Sequence, residues 1–375
     1  MFLIMNKRYL FVVLIALLAC SKAKNPTGYG ITDINYLSAN EMEFSNYFDI
    51  EKAEFVQFEM SDTVILGNEL IIKRSNDSYF VFDKTTLLFY RFNNAGKFIN
   101  KIGTPGKAQE EHYAVSDFQC DDKNEVVHLL CSSGNEIKRY TYGGAYIETI
   151  KLPVNVWSFA LVDVKSYWLY TCFFSSDSYR LHYFDNGEII KSVLPIKTNH
   201  FGMSDINFSG NNGFGLFKEP FFPTIYGYSK DSLYPLLTIN FGQYTQTEDD
   251  FERIDDPFQF TDESYQKGFY AIFDAFQNIN SFVFEVVFQN NTGAEITFVI
   301  CNKETKSAIK LLSEIKSKDF VNKLKIVSID DSDTYYFVTD PQELYSFTTM
   351  FGKNIISSDK FDRNGNPVVL KLLPR

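Results

Sequence analysis

The chain has 375 residues, 45% hydrophobic and 22% charged, enough to bury a large core, and an all-β fold can use that length as one domain. Its formal net charge of -11 repels phosphate backbones, which excludes nucleic acid as a partner, and reads as a solubility feature rather than an acidic recognition surface. The 38 Phe and 23 Tyr suit pleated, half-buried strands, which favour flat side chains.

At the N-terminus, Lys7 and Arg8 precede an apolar run over residues 9–19 that is too short to span a bilayer. Leu17-Leu18-Ala19-Cys20 resembles the lipobox of bacterial lipoproteins, which implies a signal peptide over 1–19 and lipid attachment at Cys20. A diacylated cysteine holds a chain stably on a membrane. The expectation is therefore a cell-envelope protein, lipid-anchored at the outer membrane, facing the periplasm or the surface. Residues 20–50 are polar in their first part and carry Pro26, Gly28 and Gly30, the composition of a tether. A domain over 51–375 then begins with an alternating strand at 54–60 that has no neighbour to pair with.

Strands follow at short, regular spacing. Tyr90, Phe92, Phe98 and Ile102 alternate with polar residues across Asn93-Asn94-Ala95-Gly96, a period of two around a tight turn that marks paired antiparallel strands. The layout returns at 139–152, 182–195 and 226–239, with starts roughly 45 residues apart, the length of a four-stranded propeller blade. Blade one spans 69–73, 79–83, 87–93 and 97–103. Blade two takes 117–121, 126–131, 136–142 and 146–152, and blade three 157–162, 167–173, 179–184 and 188–194. Blade four takes 205–208, 213–217, 224–228 and 233–241.

The rhythm breaks over 243–277. An acidic stretch, TEDDFERIDD, precedes Tyr265, Phe269, Ile272, Phe273 and Phe276 at helical spacing, with Thr261 as N-cap, which predicts an amphipathic helical insertion between blades four and five. Strands resume at 282–289, 295–301 and 306–312, then at 325–329, 335–338 and 368–373. The last blade lacks one strand, and 54–60 is available to close the ring and remove an open edge. Six blades satisfy this count, with seven as the alternative.

The order alternating strand, aromatic, Gly96-Lys97-Phe98-Ile99, Ile102-Gly103, then a loop ending in Glu111 and Tyr113, resembles the six-bladed β-propeller lipoproteins of Bacteroidetes, of NHL/TolB-like type. Thr224-Ile225-Tyr226, Leu233-Tyr234-Pro235, Ile239-Asn240-Phe241-Gly242 and Asn364-Gly365-Asn366-Pro367 extend the resemblance over most of the mature chain. In the loop, Gly103, Gly106, Glu111 and Tyr113 match the family pattern, while Ala108, Gln109 and Glu110 replace a Gly-Pro-Gly and His112 is inserted. The resemblance implies a fold and a location, and no activity.

In a four-stranded antiparallel blade, the loop to the next blade and the loop between strands two and three share one end. The long connections 103–113, 153–155, 195–204 and 243–277 therefore gather at one mouth of the central channel, where sites are commonly presented. Candidate ligand contacts at that mouth are Glu110, Glu111, His112, Tyr113, His200, Phe201, Asp249 and Asp250. The dull reading of each is a solvated or channel-plugging residue. No cofactor is implied, although the acidic run offers carboxylates of the kind calcium takes, without a defined calcium-loop spacing. Cys120, Cys131, Cys172 and Cys301 show no metal-binding spacing and are expected buried and unpaired.

No nucleophile elbow, zinc helix, P-loop or dinucleotide fingerprint is present. The expectation is a non-enzymatic envelope propeller that binds a glycan, a peptide or a partner protein. The alternative is a propeller hydrolase or lyase acting on sugars or lactones, with carboxylates and histidines converging from different blades.

Overall fold

Alternating strands that bury one or both faces have to pair in register, and here they do so as six separate sheets, each built on four antiparallel strands, arranged as a propeller. The computed structural model describes residues 32–131, 134–172, 178–197, 207–211, 214–247, 249–250, 256–312, 324–350 and 362–375. Blade one runs from Leu70–Ser75 to Phe98–Lys101, blade two from Asp117–Asp121 to Tyr146–Lys151 and blade three from Ser158–Asp163 to Glu188–Pro195. Blade four begins with Phe208–Asn211, blade five with Phe269–Gln277 and blade six with Lys325–Ile329. These first strands neighbour one another around the axis.

A belt of polar side chains staples the inner strands together. Lys73 of blade one donates to Asp117 of blade two at 2.7 Å, and Gln119 donates to the Phe159 carbonyl of blade three at 2.7 Å. Ser158 reaches Asn207, before blade four, at 2.9 Å, and Lys218 donates to the Phe273 carbonyl of blade five. Asn278 continues the belt to blade six, donating to the Asp330 carbonyl at 2.8 Å. Burial makes each of these bonds costly to lose, because the partner left behind is shut off from water.

The ring closes as expected. Glu54–Gln57 pairs antiparallel with Val368–Leu372 as the outer strand of blade six, with Phe55 opposite Leu370. The NGNP motif explains itself here. The buried Asn366 amide donates to the Glu59 and Val64 carbonyls at 2.8 and 3.1 Å and accepts from Leu66 N at 2.9 Å, so one side chain clasps the N-terminal segment to the C-terminal strand. Glu59 N in turn donates to the Gly96 carbonyl at 2.8 Å, and Gly96 sits at φ +75° where a Cβ would strike the Gln57 carbonyl. Replacing Asn366 by Ala is expected to cost about 2 kcal/mol, since Leu66 N and the Glu59 carbonyl lose their partner and the Val64 carbonyl keeps only Ser61 N. A chemical-denaturation midpoint equal to that of the wild type would show that the termini close without the clasp.

Three elements depart from the sequence reading. The stretch expected to be a tether is, from Thr32 onward, part of the rim. Thr32–Asn35 lies parallel to the outer strand of blade four, and Asn40–Glu43 lies parallel to Ala308–Leu312 of blade five, each as a fifth strand. Ile34, Tyr36, Phe44, Phe48 and Ile50 anchor this segment in the cores beneath. Four-residue strands in polar sequence carry too few apolar positions to show a period.

The expected helix starts earlier and stops sooner. It spans Pro257–Lys267, with Pro257 at a first-turn position that needs no N–H. Gly268, at φ +82°, ends it, and Phe269–Gln277 is the inner strand of blade five rather than helix. The apolar spacing of Phe269, Ile272, Phe273 and Phe276 imitates a helix because this strand buries residues on both faces and carries a register shift between Ile272 and Asp274. A further helix, Pro341–Met350, lies in the connection after the second strand of blade six. Cys120, Cys131, Cys172 and Cys301 are buried and free, as expected.

Candidate functional site

The predicted mouth is tied down where the structure describes it. The loop at 103–113 folds back on blade two, held by buried Lys138, whose ammonium donates to the Gln109 carbonyl at 3.0 Å, the Ala108 carbonyl at 3.3 Å and the Glu111 carbonyl. Glu111 spends a carboxylate oxygen on Ala108 N at 2.9 Å, and the Glu110 carbonyl accepts from Tyr140 at 3.1 Å while its side chain stays exposed. His112 is fully buried against Phe82 and Tyr140, its Nε2 3.3 Å from the Ile102 carbonyl. Burial first and then the nearby Lys138 charge push its pKa down to about 4, so it is a neutral core residue at physiological pH. Tyr113 is exposed.

The other described candidates, Asp249 and Asp250, do not join them. Asp250 accepts from Thr247 N and Oγ1 at 2.9 and 2.7 Å in a self-contained turn, and Asp249 is exposed beside it. His200 and Phe201, like Cys20, lie outside the described residues. A cavity of about 490 Å³ does open at this end, between blades six and one, but Asn68, Thr339 and Arg363 line it rather than any predicted residue. No three His, Cys, Asp or Glu side chains converge as a metal group among the described residues.

A cavity of about 970 Å³ lies at the opposite end, where the turns between first and second strands meet. Blades one, two, four, five and six contribute its wall. Its floor is apolar, made by Ile72, Phe208, Phe276 and Val327 from four different inner strands. Its rim is amide, hydroxyl and carboxylate, including Asn76 and Asp77 from blade one, Asn278 from blade five and Asp330, Asp331 and Ser332 from blade six.

Asx chemistry builds that rim. Asp330 Oδ1 accepts from the amides of Ser332 and Thr334, both at 3.0 Å, and its Oδ2 accepts from Tyr336 at 2.8 Å, which folds the turn and saturates the carboxylate. Asp333 takes the Asn278 and Asn280 amides at 2.6 and 2.8 Å, locking the turns of blades five and six to each other. Asp331 Oδ1 accepts from Ile279 N at 3.2 Å, and Ile279 itself projects at the rim, 65% exposed.

Lys303 and Arg74 face the same space, beside Lys73. Lys303, from the turn between the third and fourth strands of blade five, donates to Gln277 Oε1 at 2.9 Å and to the Asn278 carbonyl, with its ammonium 4.5 Å from the centre of the Phe282 ring. Arg74 of blade one lies 4.3 Å over the Tyr336 ring. Lys303 also borders a second cavity of about 580 Å³, so it stands in the wall between the two. None of the described histidines lines either cavity: His128 bonds Tyr167 at 2.9 Å, and His182 bonds Ser192 at 2.8 Å, both inside blade packing.

Loop length therefore pointed to the end of the channel opposite the cavity of about 970 Å³. The long loop folded onto its own blade, while short Asn- and Asp-rich turns were left to rim the channel. The signal available in the sequence was the repetition of Asx residues after the first strand of successive blades, at Asn76-Asp77, Asn278 and Asp330-Asp331.

Comparison with known proteins comes down to fold. The family described as a domain of unknown function, DUF4934, matches residues 31–372. No curated protein matches the chain. A protein described as exported, from Bacteroides fragilis, shares the fold with a TM-score of 0.74 and 14% identity, over 92% of this chain and 100% of that one. A DUF4221 family member from Bacteroides vulgatus gives a TM-score of 0.53 at 9% identity, over 88% of this chain and 99% of that one.

Proposed function

The chain belongs to the DUF4934 family, and from that premise we propose that it is an envelope-anchored binding propeller that takes a glycan in the mouth rimmed by the first turns of its blades. The observation that carries this reading is the cavity itself: an apolar floor under a rim of amides, hydroxyls and carboxylates, the complement of a sugar, which presents apolar ring faces and a fringe of hydroxyl donors and acceptors. A peptide strand would call for an open sheet edge, and a flat protein surface would not enter a space of about 970 Å³.

The address follows from the lipobox at Leu17-Leu18-Ala19-Cys20 and agrees with the exported character given to the Bacteroides fragilis neighbour. Lipid attachment at Cys20 holds the propeller on the outer membrane, and the kinship with NHL- and TolB-like propellers rests on the blade motifs.

The test is calorimetric titration of the purified propeller against a panel of oligosaccharides. Binding by the wild type and its loss in Ser332→Trp, which fills the mouth from an exposed rim position, is the expected result. Failure of the wild type to bind any member sinks the glycan reading, and binding that survives in the Trp variant moves the site elsewhere.

A further inference from the structure

We propose that the mouth selects an acidic glycan, with Lys303 and Arg74 receiving a carboxylate of the sugar. The inference rests on the glycan reading and narrows it to a substrate class.

The argument is one of charges left uncompensated. Around the mouth the carboxylates are either occupied or solvated. Asp330 already accepts three hydrogen bonds, Asp77 accepts from Asn94 at 2.8 Å, and Asp331 stands exposed at the rim, where water screens it. Lys73, the third cation of the lining, is committed to Asp117 and to the Phe118 carbonyl.

Lys303 and Arg74 differ from these. An ammonium has three protons, and Lys303 places two, on Gln277 and on a backbone carbonyl, both neutral acceptors. Burial lowers its pKa to about 8, and the attractions of Asp331 and Cys301 do not offset it; Asp333 and Glu304, across the adjoining cavity, are the other acids on this side. The Arg74 guanidinium, over the Tyr336 ring, meets the Tyr79 hydroxyl as its polar neighbour, and its Nε is buried without a hydrogen bond among the described residues. A half-buried cation short of negative charge is completed by an anion, and a carboxylate offers two oxygens for a guanidinium on one side and an ammonium on the other. Arg74 and Lys303 border the same cavity from blades one and five, on either side of the Asp330–Ser332 turn of blade six.

The experiment titrates wild type, Arg74→Gln and Lys303→Gln with an oligogalacturonide, with the neutral oligogalactoside of the same length and with a Glu-rich peptide. The wild type should bind the acidic sugar at least about tenfold more tightly than the neutral one, and each variant, with unchanged melting temperature, should lose most of that ratio. Raising the pH from 7 to 9 should shrink the ratio in the wild type and in Arg74→Gln well beyond any change in Lys303→Gln, because Lys303, lowered to about 8, loses its charge in that interval. Equal affinity for acidic and neutral sugars overturns the selection while leaving the glycan reading intact. A peptide bound more tightly than either sugar overturns both.

Discussion

Replacing Arg180 by Met is expected to lower the free energy of unfolding by about 3–5 kcal/mol, the range for breaking a buried ion pair on one side. Arg180 opens the third strand of blade three and Glu219 follows the second strand of blade four, both almost fully buried. Nε and the Nη2 amine meet the two carboxylate oxygens at 2.9 and 3.2 Å, Nη1 donates to the Pro195 carbonyl at 2.8 Å, and Tyr170 donates to Glu219 at 3.0 Å. The Met variant would leave the Glu219 charge buried without its guanidinium. The double variant Arg180→Met with Glu219→Met should recover most of the loss, since it removes both desolvated charges together. Denaturant titration followed by Trp fluorescence reads this directly, Trp168 being fully buried in blade three. A single variant within about 1 kcal/mol of the wild type would show that packing, not the pair, joins these blades.

The second large effect depends on pH. Glu285 lies opposite Asp274 in blade five, buried, with one carboxylate oxygen unpartnered among the described residues. Burial, and then the Asp274 charge, raise its pKa from 4.5 to about 8, against the opposing pull of Lys325 and Lys218. A folded-state pKa above the unfolded one gives a contribution that is complete below pH 4.5 and is lost as the pH climbs to about 8. Glu285→Gln should therefore match the wild type near pH 4.5 and exceed it at pH 8 by on the order of 4 kcal/mol.

His112 and His128 act in the other direction. Burial lowers them from 6.5 to about 4 and about 3, so their share is complete above pH 6.5 and is lost on acidification. The histidines and Lys303 titrate alike in wild type and in Glu285→Gln, so between pH 6.5 and 8 the difference in slope between the two belongs to Glu285. A variant whose stability falls as steeply as the wild type over that interval would refute the assignment.

By itself the sequence determined the propeller. Strand period, turn residues and a repeat near 45 residues are local properties, written wherever a strand must alternate and a hairpin must turn, so the blades could be counted and the spare strand at 54–60 matched to the incomplete last blade. It also determined that Cys120, Cys131, Cys172 and Cys301 are free and buried, because their spacing fits no local cross-link or metal loop.

Tertiary structure decided the rest. Whether Phe269, Ile272 and Phe276 form helix or strand depended on a register shift and a partner strand, which no local period records. Whether residues 32–43 hang free or lie on the rim depended on open edges of blades four and five, far off in sequence. The loop at 103–113 looked like a binding element by its length, yet Lys138, 30 residues downstream of Ala108, binds its carbonyls and fastens it to blade two. The mouth at the other end is assembled from single turns of five blades, each unremarkable alone. A site built from residues brought together around an axis is a property of closure, and closure is a long-range event that pattern along the chain cannot encode.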